Sequence, residues 1–261
     1  MNAQEAARSV LIEVVNILGA FKKDIVIVGG WVPDLTYPNK KHVGSLDVDL
    51  AIGPGAIGDD AYSSILARLK ENDYSHTTHP TRFHRNVPGV ADPIKVDLIT
   101  GEYVTAQKAE TIQIDELSIN CLRGIDLAFD ACNEILIEGT MPDGSHNIVR
   151  AQIVRPEAFI LIKAFAMAER KKEKDAYDIA FLLNHYNPSL AVLANRMAVI
   201  VKSGLGAQAF QILVAKFATL QSVGPTWAAK VAEENGLDRE QTQQAAFQDM
   251  QELFKEIRYN L

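Results

Sequence analysis

The feature that most constrains this chain is a change of hydrophobic period at Pro156. Before it, apolar residues come in short β-branched runs or alternate with polar ones; after it they recur every 3.6 residues. Asp24-Ile25-Val26-Ile27-Val28, ending in Gly29-Gly30, reads as a buried strand entering a tight turn. Ser45 to Ile52 alternates Leu46, Val48 and Leu50 against Ser45, Asp47 and Asp49, and Gly53-Pro54-Gly55 stops it. Arg82 to Val87 and Ile94 to Ile99 predict an antiparallel pair, and Glu134 to Ile153 a hairpin around Pro142-Asp143-Gly144. Helices are expected at Ala3 to Phe21 and Asp59 to Glu71. Beyond Pro156, which suits a first helical position, they are expected near 156–172, 174–186, 189–203, 205–222 and 238–258. Gly204, Gly206 and Gly224-Pro225 punctuate these segments. The pattern predicts an α+β fold: a catalytic domain over 1–155, with a small mixed sheet flanked by helices, then an all-α domain over 156–261.

Composition narrows the classes. The 261 residues are 48% hydrophobic, which is enough for a real core. Two cysteines, Cys121 and Cys132, supply neither a disulfide framework nor a zinc ligand set, and the six histidines show no zinc spacing. The start is polar and carries Glu5, unlike a signal peptide. The most apolar run, Phe159 to Ala168, is broken by Lys163 and is shorter than the roughly 20 residues of a membrane span. A cytoplasmic protein with no membrane partner is the expectation. The net charge of −7 argues against an extended, sequence-blind grip on nucleic acid while leaving room for a local basic patch.

The chemistry points to three aspartates. Asp47 and Asp49, at i and i+2 of a strand, project from one face, because strand side chains alternate. Aspartate is depleted in strands, and the other face here is apolar. In Ile94-Lys95-Val96-Asp97-Leu98-Ile99, Asp97 likewise opposes Val96 and Leu98. Magnesium takes oxygen donors, commonly one or two carboxylates plus substrate phosphates, and a two-ion site needs a bridging carboxylate. Asp47, Asp49 and Asp97 are therefore the expected ligands of one or two magnesium ions. Gly29-Gly30, between a strand and a helix, would let backbone N–H groups approach phosphates. Ser45 is placed to bond a phosphate or a carboxylate.

Lys163 has Phe159, Ile160, Ala166 and Met167 as helical neighbours. Its ammonium must snorkel from that face or meet an anion there. A phosphate or Asp178 would serve, and beside three aspartates the phosphate is preferred. Asp175 and Asp178 lie one helical turn apart; Asp175 also suits the helix dipole. Lys171, Lys172 and Lys174 read as a solvated helix end or a basic patch for RNA. Arg82 and Arg85 fall on opposite strand faces, and either could reach a phosphate or pair on the surface.

Val28-Gly29-Gly30-Trp31, Ser45-Leu46-Asp47-Val48-Asp49-Leu50 and Val96-Asp97-Leu98 together resemble the nucleotidyltransferase signature of the DNA polymerase β-like superfamily. Within it, Lys163 and Lys174-Asp175-Ala176-Tyr177-Asp178-Ile179 resemble the AbiEii/AbiGii-type toxin family. The resemblance implies magnesium-dependent transfer of a nucleotide from a nucleoside triphosphate to an acceptor hydroxyl, such as a tRNA 3′ end. It places Lys163, Asp175 and Asp178 with the nucleotide, and implies a toxin with a cognate antitoxin. Transfer to a small molecule or protein side chain, and non-catalytic nucleotide binding, are the rival readings. The chain departs from the pattern between Gly30 and Asp47, where residues 31–46 are longer than usual and Tyr37-Pro38-Asn39-Lys40-Lys41-His42 looks inserted.

Overall fold

The structure, a computed structural model, describes residues 1–76, 82–103, 109–114, 117–202 and 204–259. The chain forms two compact units, Met1–Leu35 with Gly44–Val154, and Thr36–Val43 with Arg155–Leu261.

The first unit opens on helix α1 (Ala3–Ile17). Asn2 and Glu5 close a reciprocal capping box, each side chain accepting the other's backbone N–H at 2.8 Å. A 3-10 turn over Gly19–Phe21 follows where the sequence predicts continued helix. Next come β1 (Ile25–Val28), α2 (Val32–Thr36), β2 (Asp47–Ile52), α3 (Asp59–Glu71), β3 (Tyr74–His76), β4 (Arg82–Arg85) and β5 (Ile94–Gly101). After these lie β6 (Thr111–Ile114), β7 (Leu117–Leu122), α4 (Asp126–Asp130) and the hairpin β8 (Cys132–Thr140) and β9 (His146–Val154).

The strands form one mixed sheet in the order β3-β4-β5-β2-β1-β9-β8, with β7 beside the end of β5 and β6 beside β7. β1 runs antiparallel to β2 and parallel to β9, while β2 and β5 are parallel. The predicted antiparallel pairing of β4 with β5 is present, and so is the hairpin. β2 begins at Asp47, two residues later than predicted, and ahead of it Ser45 Oγ donates to the Asp47 carbonyl at 3.1 Å. Val10, Leu11 and Val14 of α1 are fully buried, and the helix packs against β2, β5, β8 and β9.

The second unit is helical: α5 (Pro156–Glu169), α6 (Lys174–His185), α7 (Leu190–Ile200), α8 (Gly204–Lys216), α9 (Val223–Glu234) and α10 (Arg239–Tyr259). Position 203, the predicted end of the third of these, lies outside the described residues. The predicted helix over 205–222 is shorter, and α9 begins where the sequence suggests only a break. Pro225 sits in the first turn of α9, where an N–H has no intrahelical acceptor to lose. Gly224 makes room for the Phe217 ring, which a Cβ would meet at 2.5 Å. Residues Thr36–Val43 form a strap that belongs to this unit, with Tyr37 and Val43 packed on a cluster of Tyr177, Phe181, Val231 and Ala232. Among the described residues no helix is long and apolar enough to cross a membrane.

Candidate active site

Parallel pairing of β2 with β5 sets Asp49 opposite Asp97 and Asp47 opposite Lys95. Directly paired residues share a face, so Asp47, Asp49 and Asp97 lie on one side of the sheet. Val48, Leu50, Val96 and Leu98 are fully buried on the other. Antiparallel pairing of β4 with β5 adds Arg82 opposite Asp97 and His84 opposite Lys95, on the aspartate side. The three carboxylates reach solvent to different extents, with side-chain exposures of 38% for Asp47 and 15% for Asp97.

The sequence leaves open which arginine faces this group. Arg85 does not: it lies on the side of α1, where Nε and Nη2 donate to Glu13 at 2.8 and 3.0 Å. The Tyr74 hydroxyl donates to the same carboxylate at 2.7 Å. Arg82 does. Its Nε and Nη2 donate to the two oxygens of Asp97, each at 2.8 Å, in a two-pronged pair. That bond, with the charges of Asp97, Asp47 and Asp49, holds the guanidinium above its ordinary pKa despite some burial. Lys95 Nζ stands 3.9 Å from Asp47. Arg82 and Lys95 thus set positive charge against Asp97 and Asp47.

The Gly-Gly turn fits against this group. Val28 is opposite Asp49, so the chain leaving β1 passes that side chain. Gly29 has φ +72, and a Cβ there would overlap the Asp49 carboxylate. Gly30 and Trp31 complete a buried 3-10 turn before α2, and the Val32 N–H donates to the Gly29 carbonyl.

The donor set suits a hard divalent cation: oxygen-only ligands, three carboxylates, one face, partial solvent access. Among the described residues, however, no three such donors already close around a single point. The two-pronged bond from Arg82 keeps Asp97 engaged elsewhere, so a cation must compete with a guanidinium for the third ligand.

Lys163, Asp175 and Asp178 gather in a separate cluster inside the helical unit. Lys163 Nζ donates to Asp175 at 2.7 Å and Asp178 at 2.8 Å, all three side chains being buried. Arg170 adds two bonds to Asp175, Lys174 one to Asp178 at 2.8 Å, and His42 Nε2 lies 3.0 Å from Asp178. Burial would raise the Asp178 carboxyl, but Lys163, Lys174 and His42 outweigh it and hold it well below the usual carboxylate range. Burial would lower Lys163, and the two aspartates hold it above its ordinary value. Of the anions the sequence offers Lys163, a phosphate or Asp178, the structure supplies Asp178, and it adds Asp175, which the sequence does not pair with it. Sequence reasoning misses His42, because no local pattern signals a partner 136 residues away, and it misses Arg170, which stands five residues before Asp175 at the turn between α5 and α6.

No protein-family model matches the chain, and no curated protein resembles it in sequence. Among solved structures, one from H. pylori provisionally named a nucleotidyltransferase aligns over 98% of this chain and 97% of its own. The identity is 16% and the TM-score 0.48. A likeness of that size leaves the functional argument to the residues themselves.

Proposed function

We propose that the chain is a metal-dependent nucleotidyltransferase whose site is built on Asp47, Asp49 and Asp97. The observation that carries this reading is the register of two parallel strands that sets the three carboxylates on one face, with a glycine turn against the middle one. Bound magnesium, one ion or two, would supply positive charge to the attacking and leaving oxygens. Asp47, Asp49 and Asp97 would be the residues that hold it. The backbone at Gly29 and Gly30 would position the phosphates, joined by the Ser45 hydroxyl once its proton leaves the Asp47 carbonyl. In the reaction an acceptor hydroxyl oxygen bonds to the α-phosphorus and the bond to the bridging oxygen breaks. Pyrophosphate leaves with the electron pair, and the hydroxyl proton passes to a carboxylate, for which Asp97 is the candidate.

We assign Lys163, Asp175 and Asp178 to the cohesion of the helical unit, since they already satisfy one another there. The acceptor we favour is an anionic one, an RNA 3′ end first. Arg82, His84 and Lys95 share the face of the aspartates and would meet its phosphates. A toxin role is a further expectation, read from growth on expression of wild type against the aspartate variant below.

The test is incubation of the purified protein with magnesium, each labelled nucleoside triphosphate and total cellular RNA. Label should enter RNA with wild type and not with the double variant Asp47→Asn, Asp49→Asn. Label entering RNA equally with the variant rejects the assigned chemistry. Label entering a protein or small molecule instead keeps the chemistry and replaces the acceptor.

A further inference from the structure

We propose that Arg82 is the resident counter-ion of Asp97, and that a divalent cation completes its ligand set only as the guanidinium moves to a phosphate of the nucleotide. The inference rests on the site reading above and adds to it a coupling between metal and nucleotide binding. Both oxygens of Asp97 carry a charge-assisted bond from Arg82 at 2.8 Å, the stronger kind of hydrogen bond. A cation approaching the aspartates must break two such bonds to gain its third carboxylate. Asp47 is less encumbered, because Lys95 stands 3.9 Å off and is about half exposed. At Asp97, therefore, the metal-free chain resists the ion through both carboxylate oxygens.

Arg82 can leave by a short path. Its side chain is about one-third exposed on the face where the phosphates would lie. A planar guanidinium exchanges a carboxylate for a phosphate with the same two-pronged geometry. A triphosphate then has two effects at once: it draws Arg82 from Asp97, and it brings oxygens to the cation. Because coupling between two ligands is reciprocal, the metal must tighten nucleotide binding by the factor that the nucleotide tightens metal binding. Removing Arg82 should remove most of that factor by freeing Asp97 from the start.

The experiment is calorimetric titration of Mn²⁺ into wild type, Arg82→Gln and Arg82→Lys, each with and without a non-hydrolysable nucleoside triphosphate analogue. Alone, Mn²⁺ should bind Arg82→Gln roughly tenfold more tightly than wild type, within the usual range of such couplings. The analogue should strengthen Mn²⁺ binding clearly in wild type and much less in Arg82→Gln. Arg82→Lys, which keeps the charge but loses the fork, should fall between the two. Melting curves add a second readout: Arg82→Gln should melt lower than wild type without metal and gain more from Mn²⁺. Equal or weaker Mn²⁺ affinity in both Arg82 variants, with the aspartates still required, overturns the inference and leaves the site standing. If Mn²⁺ binding survives Asp47→Asn with Asp49→Asn, the site reading itself is wrong.

Discussion

At Gly29 the backbone and the Asp49 carboxylate claim the same space. The left-handed φ of +72 would strain any other residue by about 1–2 kcal/mol, and a Cβ would also push Asp49 aside. Gly29→Ala should therefore lose about that much stability and weaken the metal binding proposed for Asp49 together, read by melting and titration. A variant that melts like wild type and binds metal normally would dissociate the turn from the site. Asp47→Asn with Asp49→Asn behaves differently. It removes like charges from one face and gives up the exposed pair of Asp47 with Lys95, worth at most about 1 kcal/mol. Its melting temperature should hold or rise, and a marked fall would mean the aspartates are structural. The face of the triad was legible in the sequence because strand side chains alternate strictly, so Asp47, Asp49 and Asp97 declare their side by parity. The pairing of Arg82 with Asp97 was not legible. Parity separates Arg82 from Arg85 but does not say which meets the aspartates; the β4–β5 register, which sets Arg82 opposite Asp97, decides it.

Helices α5 and α6 are joined through charge as well as apolar packing. Lys163→Met keeps the stem but leaves Asp175 and Asp178 without their central cation, which should cost roughly 3 kcal/mol, the lower end for breaking a buried pair. Arg170, Lys174 and His42 remain to soften the loss. Lys174→Met removes an i,i+4 partner that is 35% exposed and should cost only about 0.5 kcal/mol. Chemical denaturation of both variants orders them, and equal losses would contradict the central place given to Lys163.

The cluster also sets a pH window. Asp178 has a depressed folded pKa, so its stabilisation is present above its unfolded value of about 3.9 and fades as pH falls towards the folded one. Lys163 has a raised folded pKa, so its share is present below about 10.4 and fades as pH rises through the folded value. Helical circular dichroism should then be steady across about pH 5 to 9 and collapse in stronger acid. A steep loss already near pH 6 would point away from these groups. The helices of this unit were legible from their period except α9, whose opening Gly224-Pro225 carries the same letters as a break. What distinguishes the two is tertiary: Phe217 needs the space that Gly224 leaves.

For the whole molecule, the strap Thr36–Val43 sets the plan, because it leaves the sheet unit between β1 and β2 and belongs to the helical unit. In the sequence Tyr37 to His42 looks inserted, and nothing local reveals where it docks. Replacing residues 36–43 by an equally long glycine-serine stretch would delete His42 from Asp178 and strip Tyr37 and Val43 from their cluster. A buried hydrogen bond to a charge is worth about 1.5–3 kcal/mol, so the helical unit should lose at least about 2 kcal/mol. Unchanged melting would mean the strap is carried passively. On a ribosome the same arrangement becomes a matter of timing. Asp178 is made 136 residues after His42, an interval on the order of ten seconds at ordinary elongation rates. Throughout it the connection between β1 and β2 carries Tyr37, His42 and Val43 uncovered, held by no helix yet synthesised. Translation speed through the stretch before Asp178 therefore governs how long Tyr37, His42 and Val43 stay open to chaperones or to a wrong partner.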